Sequence, residues 1–254
     1  MENRNKIAVV TGGSRGLGRD MALRLAEKGI DVIITYNTNT EEAAKVVNLA
    51  EQSSAKAAAL QLNTGVIKSF DAFTEKLREV LTDKFGTDHI DFLINNAGQG
   101  GYSAISDVTE DFFDDLLNVH FKGVYFLTQK LIPLMADGGG IVNVSSGLTR
   151  VSVPRSSAYA SMKGAVEIFT RYLAKELGGR GIRANVVAPG AIMTDFGGGH
   201  LRNSEETQKM VSSITALGRP GVAEDIGGVV AFLCTEDARW VNGQRIEASG
   251  GMAI

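Results

Sequence analysis

The chain has 254 residues, 44% of them hydrophobic and 22% charged, with a net charge of -3. These values describe a globular chain long enough to bury a sizeable core and exclude a disordered or low-complexity protein. The slight acidity argues against a nucleic-acid or anionic-lipid surface, and the single cysteine, Cys234, has no partner for an internal disulfide.

The amino terminus, MENRNK followed by IAVV, carries too short an apolar stretch for a signal peptide. No run reaches the roughly 18 residues of a membrane helix, so a cytoplasmic protein is expected. Residues 7–10 read as a buried strand that opens into TGGSRGLG at 11–18. An amphipathic helix follows through Met21, Leu23, Leu25 and Ala26 to Gly29. Strand, glycine turn and helix are the setting in which glycines bring the backbone against a pyrophosphate at a helix N-terminus. Three residues separate Gly12 from Gly16, wider than the common dinucleotide fingerprint. Dinucleotide sites often carry an acid for the adenosine ribose after the second strand, here 32–36. Residues 32–40 are neutral instead, and Arg15 offers a cation inside the glycine turn. A guanidinium grips a 2′-phosphate that an acid would repel, which favours NADP(H) over NAD(H). The alternative leaves Arg15 solvated, with Asn37 or Thr38 bonding a ribose hydroxyl.

Thr40 with Glu41 and Glu42 predicts a capped helix to about Ser53. A third strand over 57–62 ends at Asn63 and Thr64. Phe70, Phe73, Leu77 and Leu81 have helical spacing within 69–85, closed by Gly86. Phe92, Leu93 and Ile94 make a fourth strand that stops at NNAG, 95–98, where side-chain amides can satisfy backbone groups near a ligand. A long helix starts at Thr109 and runs to about Pro133. Asn118 inside it competes with the backbone for hydrogen bonds, a local cost that points to function.

The predicted reacting centre is GIVNVSSGLTRVSVPRSSAYASMK, 140–163. Ile141, Val142 and Val144 read as a buried parallel strand. Ser145 and Ser146 follow where ligands bind in open α/β sheets, just beyond the carboxyl ends. If Ser156 caps the next helix, Tyr159 and Lys163 share one face at i and i+4, and the ammonium can favour the phenolate. That helix should reach Leu177, followed by a strand at 184–187 that ends in Pro189 and Gly190. Residues 192–217 break the alternation. Glycines at 197–199 suit a hinge and Ser204 with Glu205 and Glu206 suits a helix start, so an active-site lid is expected, with a disordered insertion as the alternative. A helix over 222–234 and a strand over 243–248 complete the chain. The pattern predicts one α/β domain over 1–254, a doubly wound Rossmann-like parallel sheet of about seven strands with helices on both faces.

TGGSRGLG, NNAG, Asn118, Ser146, YASMK, PGAIMT and WVNGQRIEASGG stand in the order found in the short-chain dehydrogenases/reductases. The chain resembles that family over nearly its whole length. The resemblance implies hydride transfer between NADP(H) and a carbonyl or secondary alcohol. It makes Tyr159 the general acid/base and Ser146 the carbonyl-orienting hydroxyl. Lys163 would lower the phenol pKa and hold the nicotinamide ribose, and Asn118 would position a water that links Lys163 to solvent. Gly12, Ser14, Arg15, Gly16, Leu17 and Gly18 would hold the phosphates, with Tyr36 and Asn37 at the end of the second strand. Asn63 and Thr64 would flank adenine, Asn95, Ala97 and Gly98 the ribose, and Pro189, Gly190, Ile192 and Thr194 the carboxamide. Asn63 departs from the family's usual Asp and removes a charge there. No metal is implied, and a homotetramer or homodimer is, through the Asn118 and Tyr159 helices and the carboxyl terminus.

Leu148, Val151, Met193 and Phe196 among small residues suggest a fairly apolar carbonyl compound. A 3-oxoacyl carrier-protein reductase is the alternative, since Tyr36, Arg15 and Arg180 resemble that group, although Met135, Ala136, Asp137 and Gly138 stand where basic residues are usual. A non-catalytic NADP(H)-binding sensor or scaffold is the alternative of another class. A serine hydrolase lacks its GxSxG elbow here. His89, His120 and His200 are isolated and lack metal-ligand spacing, so surface or satisfied core positions are expected for them.

Overall fold

The run IAVV is apolar at every position because its strand, β1 (Ile7–Val10), is buried on both sides. Ala8 and Val10 enter the core on one face of the sheet, Ile7 and Val9 the core on the other, as the two-residue strand period requires. The structure, a computed structural model, describes residues 5–254. Six further strands join β1: β2 (Asp31–Tyr36), β3 (Ala57–Gln61), β4 (Ile90–Asn95), β5 (Met135–Val144), β6 (Arg183–Pro189) and β7 (Arg245–Ala248). They form one sheet in the order β3-β2-β1-β4-β5-β6-β7, and every pairing is parallel. The chain therefore reverses direction across the sheet between β1 and β4, and a crevice opens beyond their carboxyl ends.

The helices are α1 (Gly16–Glu27), α2 (Thr40–Gln52), α3 (Phe70–Val80), α4 (Glu110–Leu117), α5 (Gly123–Leu131), α6 (Ser157–Leu177), α7 (His200–Asn203), α8 (Glu205–Ser213) and α9 (Glu224–Leu233). Met21, Val46 and Ile226 bring α1, α2 and α9 to one face of the sheet, while Phe73, Leu127 and Leu173 bring α3, α5 and α6 to the other.

Several boundaries differ from expectation for local physical reasons. Asn39, not Thr40, caps α2: its Oδ1 accepts the Glu42 N–H at 3.0 Å. Ser156 precedes α6 without a side-chain cap bond, and its Oγ is buried without a partner. The expected long helix over 109–133 is interrupted by a π-turn, Asn118–Lys122, and closes in a 3-10 turn, Ile132–Leu134. β5 begins at Met135, ahead of its apolar run, because Gly139 lets the chain press against β4; a Cβ there would lie 2.2 Å from the Asp91 carbonyl oxygen. The segment read as a lid folds into a 3-10 turn, Phe196–Gly199, then α7 and α8. Gly197, Gly198 and Gly199 all have φ between 63° and 78°, and Ser204 Oγ accepts the Thr207 N–H at 3.2 Å.

Candidate active site

The crevice is built first from the glycine turn. Gly12 and Gly16 take left-handed φ of 65° and 55°, a conformation that disfavours side-chain-bearing residues. Gly18 is packed so closely that a Cβ would lie 2.2 Å from the Gly12 carbonyl oxygen, which brings α1 against the turn. Arg15 stands at the N-cap of α1 and is exposed, and no acidic residue occupies the first turn of that helix. The oriented N–H groups of α1 and the Arg15 cation thus suit an anionic group. Ser14 lies half-buried in the same turn. Leu17, Tyr36 and Ile192 each pack against the edge of one core, and Asn37 is exposed just past β2 with its carbonyl held by Gln61 Nε2 at 2.8 Å. Thr194 closes the turn from the far side: a Cβ on Gly16 would meet its Cβ at 3.7 Å.

The NNAG segment divides its two amides. Asn96 Nδ2 donates to the Thr11 and Gly12 carbonyls at 2.9 and 3.2 Å, while Thr11 Oγ1 accepts the Asn96 and Ala97 N–H groups at 2.9 and 3.0 Å. Asn96 therefore pins the glycine turn, a role that sequence reasoning gave to neither asparagine in particular. Asn95 faces inward instead, and its Nδ2 donates to Thr128 Oγ1 and Asn143 Oδ1 at 2.9 and 2.8 Å. Its side chain ties β4 to β5 and α5 and does not line a ribose surface. Asn63 Oδ1 accepts the Gly65 N–H at 2.9 Å, so the amide oxygen shapes its own turn, and the Thr64 carbonyl abuts Gly123. Ala97 and Gly98 reach the crevice; Pro189 ends β6, and Gly190 lies so close to Ser249 that a Cβ would be 2.8 Å from its Cα.

Beyond β5 the two serines separate by strand parity. Ser145 is buried and donates to Glu167 Oε1 at 2.7 Å, whereas Ser146 is half-buried and its Oγ accepts the Leu148 N–H at 3.2 Å. The hydroxyl hydrogen of Ser146 stays available for a ligand or for the neighbouring phenol. Tyr159 and Lys163 are both buried on α6. Lys163 Nζ donates to the Val144 carbonyl at 2.8 Å and stands 5.7 Å from the centre of the Tyr159 ring. Burial pushes the Lys163 ammonium down to about 8. Burial also raises the Tyr159 phenol well above its ordinary range, with the Tyr102 phenol adding to the rise and the Ser146 hydroxyl opposing it. The expected lowering of the phenol by Lys163 is absent in this arrangement: desolvation dominates, and only the Ser146 hydroxyl opposes the rise.

A polar cluster lies behind Ser146. Arg245 Nε donates to Glu167 Oε1 at 2.9 Å, and its Nη2 reaches Thr149 Oγ1 at 3.0 Å and the Ser146 carbonyl at 3.3 Å. Glu247 joins Arg245 to Arg150, which also holds the Ala253 carbonyl at 3.0 Å. The Arg150 guanidinium holds the Glu247 carboxyl down at about 2.

Asn118 opens the π-turn and gives its carbonyl to the Gly123 N–H; among the described residues its side chain makes no hydrogen bond. His120, expected at the surface or in a satisfied core position, is fully buried against Tyr159, with ring centroids 4.9 Å apart at 84°. Phe196 meets the same phenol ring at 5.9 Å, and Gly197 packs on the Tyr102 ring. Gly100 and Gly197 fit together because neither carries a side chain; a Cβ on Gly100 would be 2.5 Å from the Gly197 Cα. An aromatic mouth of Tyr102 and Phe196 therefore surrounds Tyr159. No cluster of His, Cys, Asp or Glu among the described residues could hold a metal ion.

The family profile described as enoyl-(acyl carrier protein) reductase matches residues 12–253. An uncharacterized oxidoreductase of Methylorubrum extorquens is 40% identical over 250 residues, covering 97% of each chain. A hydroxynaphthalene reductase-like protein, Arp2 of Metarhizium brunneum, is 36% identical over 97% of this chain and 94% of its own. Among solved structures, the angucycline C-6 ketoreductase LanV with bound NADP superposes with a TM-score of 0.93 at 38% identity, covering 98% of this chain and 95% of that one. With that match, the parallel sheet and the half-buried Ser146 beside the buried Tyr159 and Lys163 at its carboxyl edge, the chain belongs to the short-chain dehydrogenase/reductase superfamily, in its branch of about 250 residues.

Proposed function

We infer that the protein is an NADP(H)-dependent oxidoreductase that moves hydride between the cofactor and a carbonyl or secondary alcohol, and that its substrates are aromatic ketones. The observation that carries this reading is Tyr159, a buried phenol beside the Ser146 hydroxyl, one helical turn from Lys163 and faced by the Phe196 ring.

The cofactor fits the chain's own features. The left-handed glycines, the close approach of Gly18 to Gly12 and the acid-free start of α1 make a phosphate cradle, and Arg15 suits a 2′-phosphate. When bound, NADPH supplies the hydride. As negative charge develops on the substrate oxygen, Ser146 Oγ and the Tyr159 hydroxyl are the donors at hand. A raised phenol pKa keeps Tyr159 protonated at neutral pH, the form that can deliver a proton to an alkoxide. The Lys163 ammonium, held by the Val144 carbonyl, then faces the phenolate left behind.

The aromatic substrate class draws on Tyr102 and Phe196 at the mouth and on relatives whose names refer to a hydroxynaphthalene and an angucycline. A thioester on an acyl carrier protein is the second reading, favoured by the family description. Against it, the Arg180 guanidinium is already engaged by Asp137 at 2.7 Å and by the Ile132 carbonyl at 3.1 Å. An apolar groove of about 440 Å³ between α5 and α6, lined by Tyr125, Ile168, Phe169 and Tyr172, supports a homotetramer or homodimer. No helix among the described residues is long and apolar enough to cross a membrane.

NADPH oxidation measured with bicyclic aromatic ketones and with 3-oxoacyl thioesters tests the substrate class; preference for the thioesters would overturn it. Tyr159→Phe should bind NADPH and lose turnover by roughly 10²–10⁴-fold. Retained turnover would remove Tyr159 as the proton donor.

A further inference from the structure

Three side-chain polar atoms among the described residues are buried without a hydrogen-bond partner: Asp20 Oδ2, Ser156 Oγ and His120 Nδ1. The last belongs to a ring in direct contact with Tyr159. Nε2 of the same imidazole lies 2.8 Å from the Gln99 carbonyl oxygen and 3.3 Å from the Gln99 nitrogen. The shorter contact needs a donor, so the hydrogen-bond network assigns the proton to Nε2 and leaves Nδ1 with a bare lone pair. The ring also presses on Gly98, where a Cβ would lie 2.8 Å from Cε1 and 3.3 Å from Nδ1. Gly98 belongs to the segment assigned to the cofactor's ribose side. The imidazole therefore touches both halves of the reacting centre, the loop beyond β4 and the phenol of α6.

The π-turn explains how one helix achieves this. Its wider winding changes the facing of the residues that follow, and π-turns are frequent at functional sites. Leu116 and His120 both end up buried toward α6, while Asn118 contributes only its carbonyl, to the turn itself.

We propose that His120 is a further positioning residue for the reaction: its Nε2 donates to the Gln99 carbonyl, its ring edge packs on Gly98, and that donor fixes the loop beyond β4 against the Tyr159 phenol. Burial, reinforced by the Lys163 ammonium, pushes the imidazole down to about 3, so the clamp stays neutral over the working pH range. His120 does not donate a proton in this scheme. A fixed, neutral donor to the Gln99 carbonyl is what the position requires, and Gly98 is the neighbour that leaves room for the ring that carries it.

The proposal rests on Tyr159 as the proton donor, and the experiment keeps the two apart. His120→Phe retains the ring and removes the donor to Gln99. It should keep the wild-type melting temperature within a few degrees and bind NADPH normally by fluorescence, yet lose kcat by on the order of 10²-fold with little change in the ketone KM. His120→Asn and His120→Gln keep an amide donor, and at least one should recover most of that kcat. Unchanged kcat in His120→Phe, or amide variants no better than Phe, would overturn the proposal. If His120→Phe does not fold, the amide variants decide: kcat near wild type in either supports the clamp, and losses as large as in Tyr159→Phe in both refute it. Tyr159→Phe measured alongside reports on the proton donor alone, so its retained turnover would sink that reading whatever His120 does.

Discussion

Lys163 Nζ stands 5.7 Å from the centre of the Tyr159 ring, anchored there by a 2.8 Å hydrogen bond to the Val144 carbonyl at the end of β5. The i,i+4 spacing on α6 puts the two side chains on one face, but the strand end determines how near the ammonium comes. Both groups are buried, and burial moves their protonation in opposite directions, the phenol up and the ammonium down.

The ammonium should therefore be lost near pH 8, well before the phenol ionises. Reduction should slow as pH rises through about 8, because neutral Lys163 no longer faces the charge left on Tyr159. Lys163→Arg keeps its charge at all working pH values and should move the alkaline limb of kcat upward. An unmoved limb would assign the titration to another group. The same shift has a stability consequence of defined sign. Between about pH 8 and the ordinary lysine value the unfolded chain holds the proton that the folded chain has shed, so stability rises with pH across that window; below it a constant penalty remains. Urea midpoints of wild type relative to Lys163→Met should show that rise between pH 7.5 and 10, chosen as roughly the window's edges.

Arg15 is the exposed cation of the glycine turn, and no acid sits on the first turn of α1. Arg15→Ala should lower the ratio of kcat/KM for NADPH over NADH by roughly 10–100-fold, mainly through a higher KM for NADPH, as expected for loss of a charge-assisted phosphate contact. A ratio that stays put would place the 2′-phosphate elsewhere.

Glu167 and Arg245 meet at 2.9 Å, and between them they hold Ser145, Thr149 and the Ser146 carbonyl. Glu167→Gln should lower kcat by about tenfold while NADPH binding holds, because a small displacement of Ser146 is costly in the transition state. A double-mutant cycle with Arg245→Met, followed by urea unfolding, should give a coupling of about 0.5–3 kcal/mol. Additive effects would mean that the two side chains act separately.

The candidate site was legible where the constraint is local. A strand that opens into glycines and then a helix needs its glycines within one short turn, and Gly12, Gly16 and Gly18 meet that need in the structure. Helical spacing paired Tyr159 with Lys163, whereas Ser146 was singled out from Ser145 only by the family resemblance, and the fold then turned Ser145 inward and left Ser146 available. The two amides of NNAG were not separable in the same way. They differ in which neighbour each finds, Thr128 and Asn143 for Asn95 but the glycine turn for Asn96. His120 was passed over because its significance depends on a π-turn and on Gly98, Gln99 and Tyr159, which come from two other elements.

By itself, the order of residues determined the alternation of strands and helices, the phosphate turn and the face shared by Tyr159 and Lys163, since φ preferences and side-chain periodicity act over a few positions. Only the folded chain decided the protonation of that pair, the inward turn of Asn95, the placing of His120 and the support of Ser146 by Arg245. Those outcomes depend on burial and on contacts between residues as far apart as Ser146 and Arg245, 99 positions along the chain, whose meeting no local preference encodes.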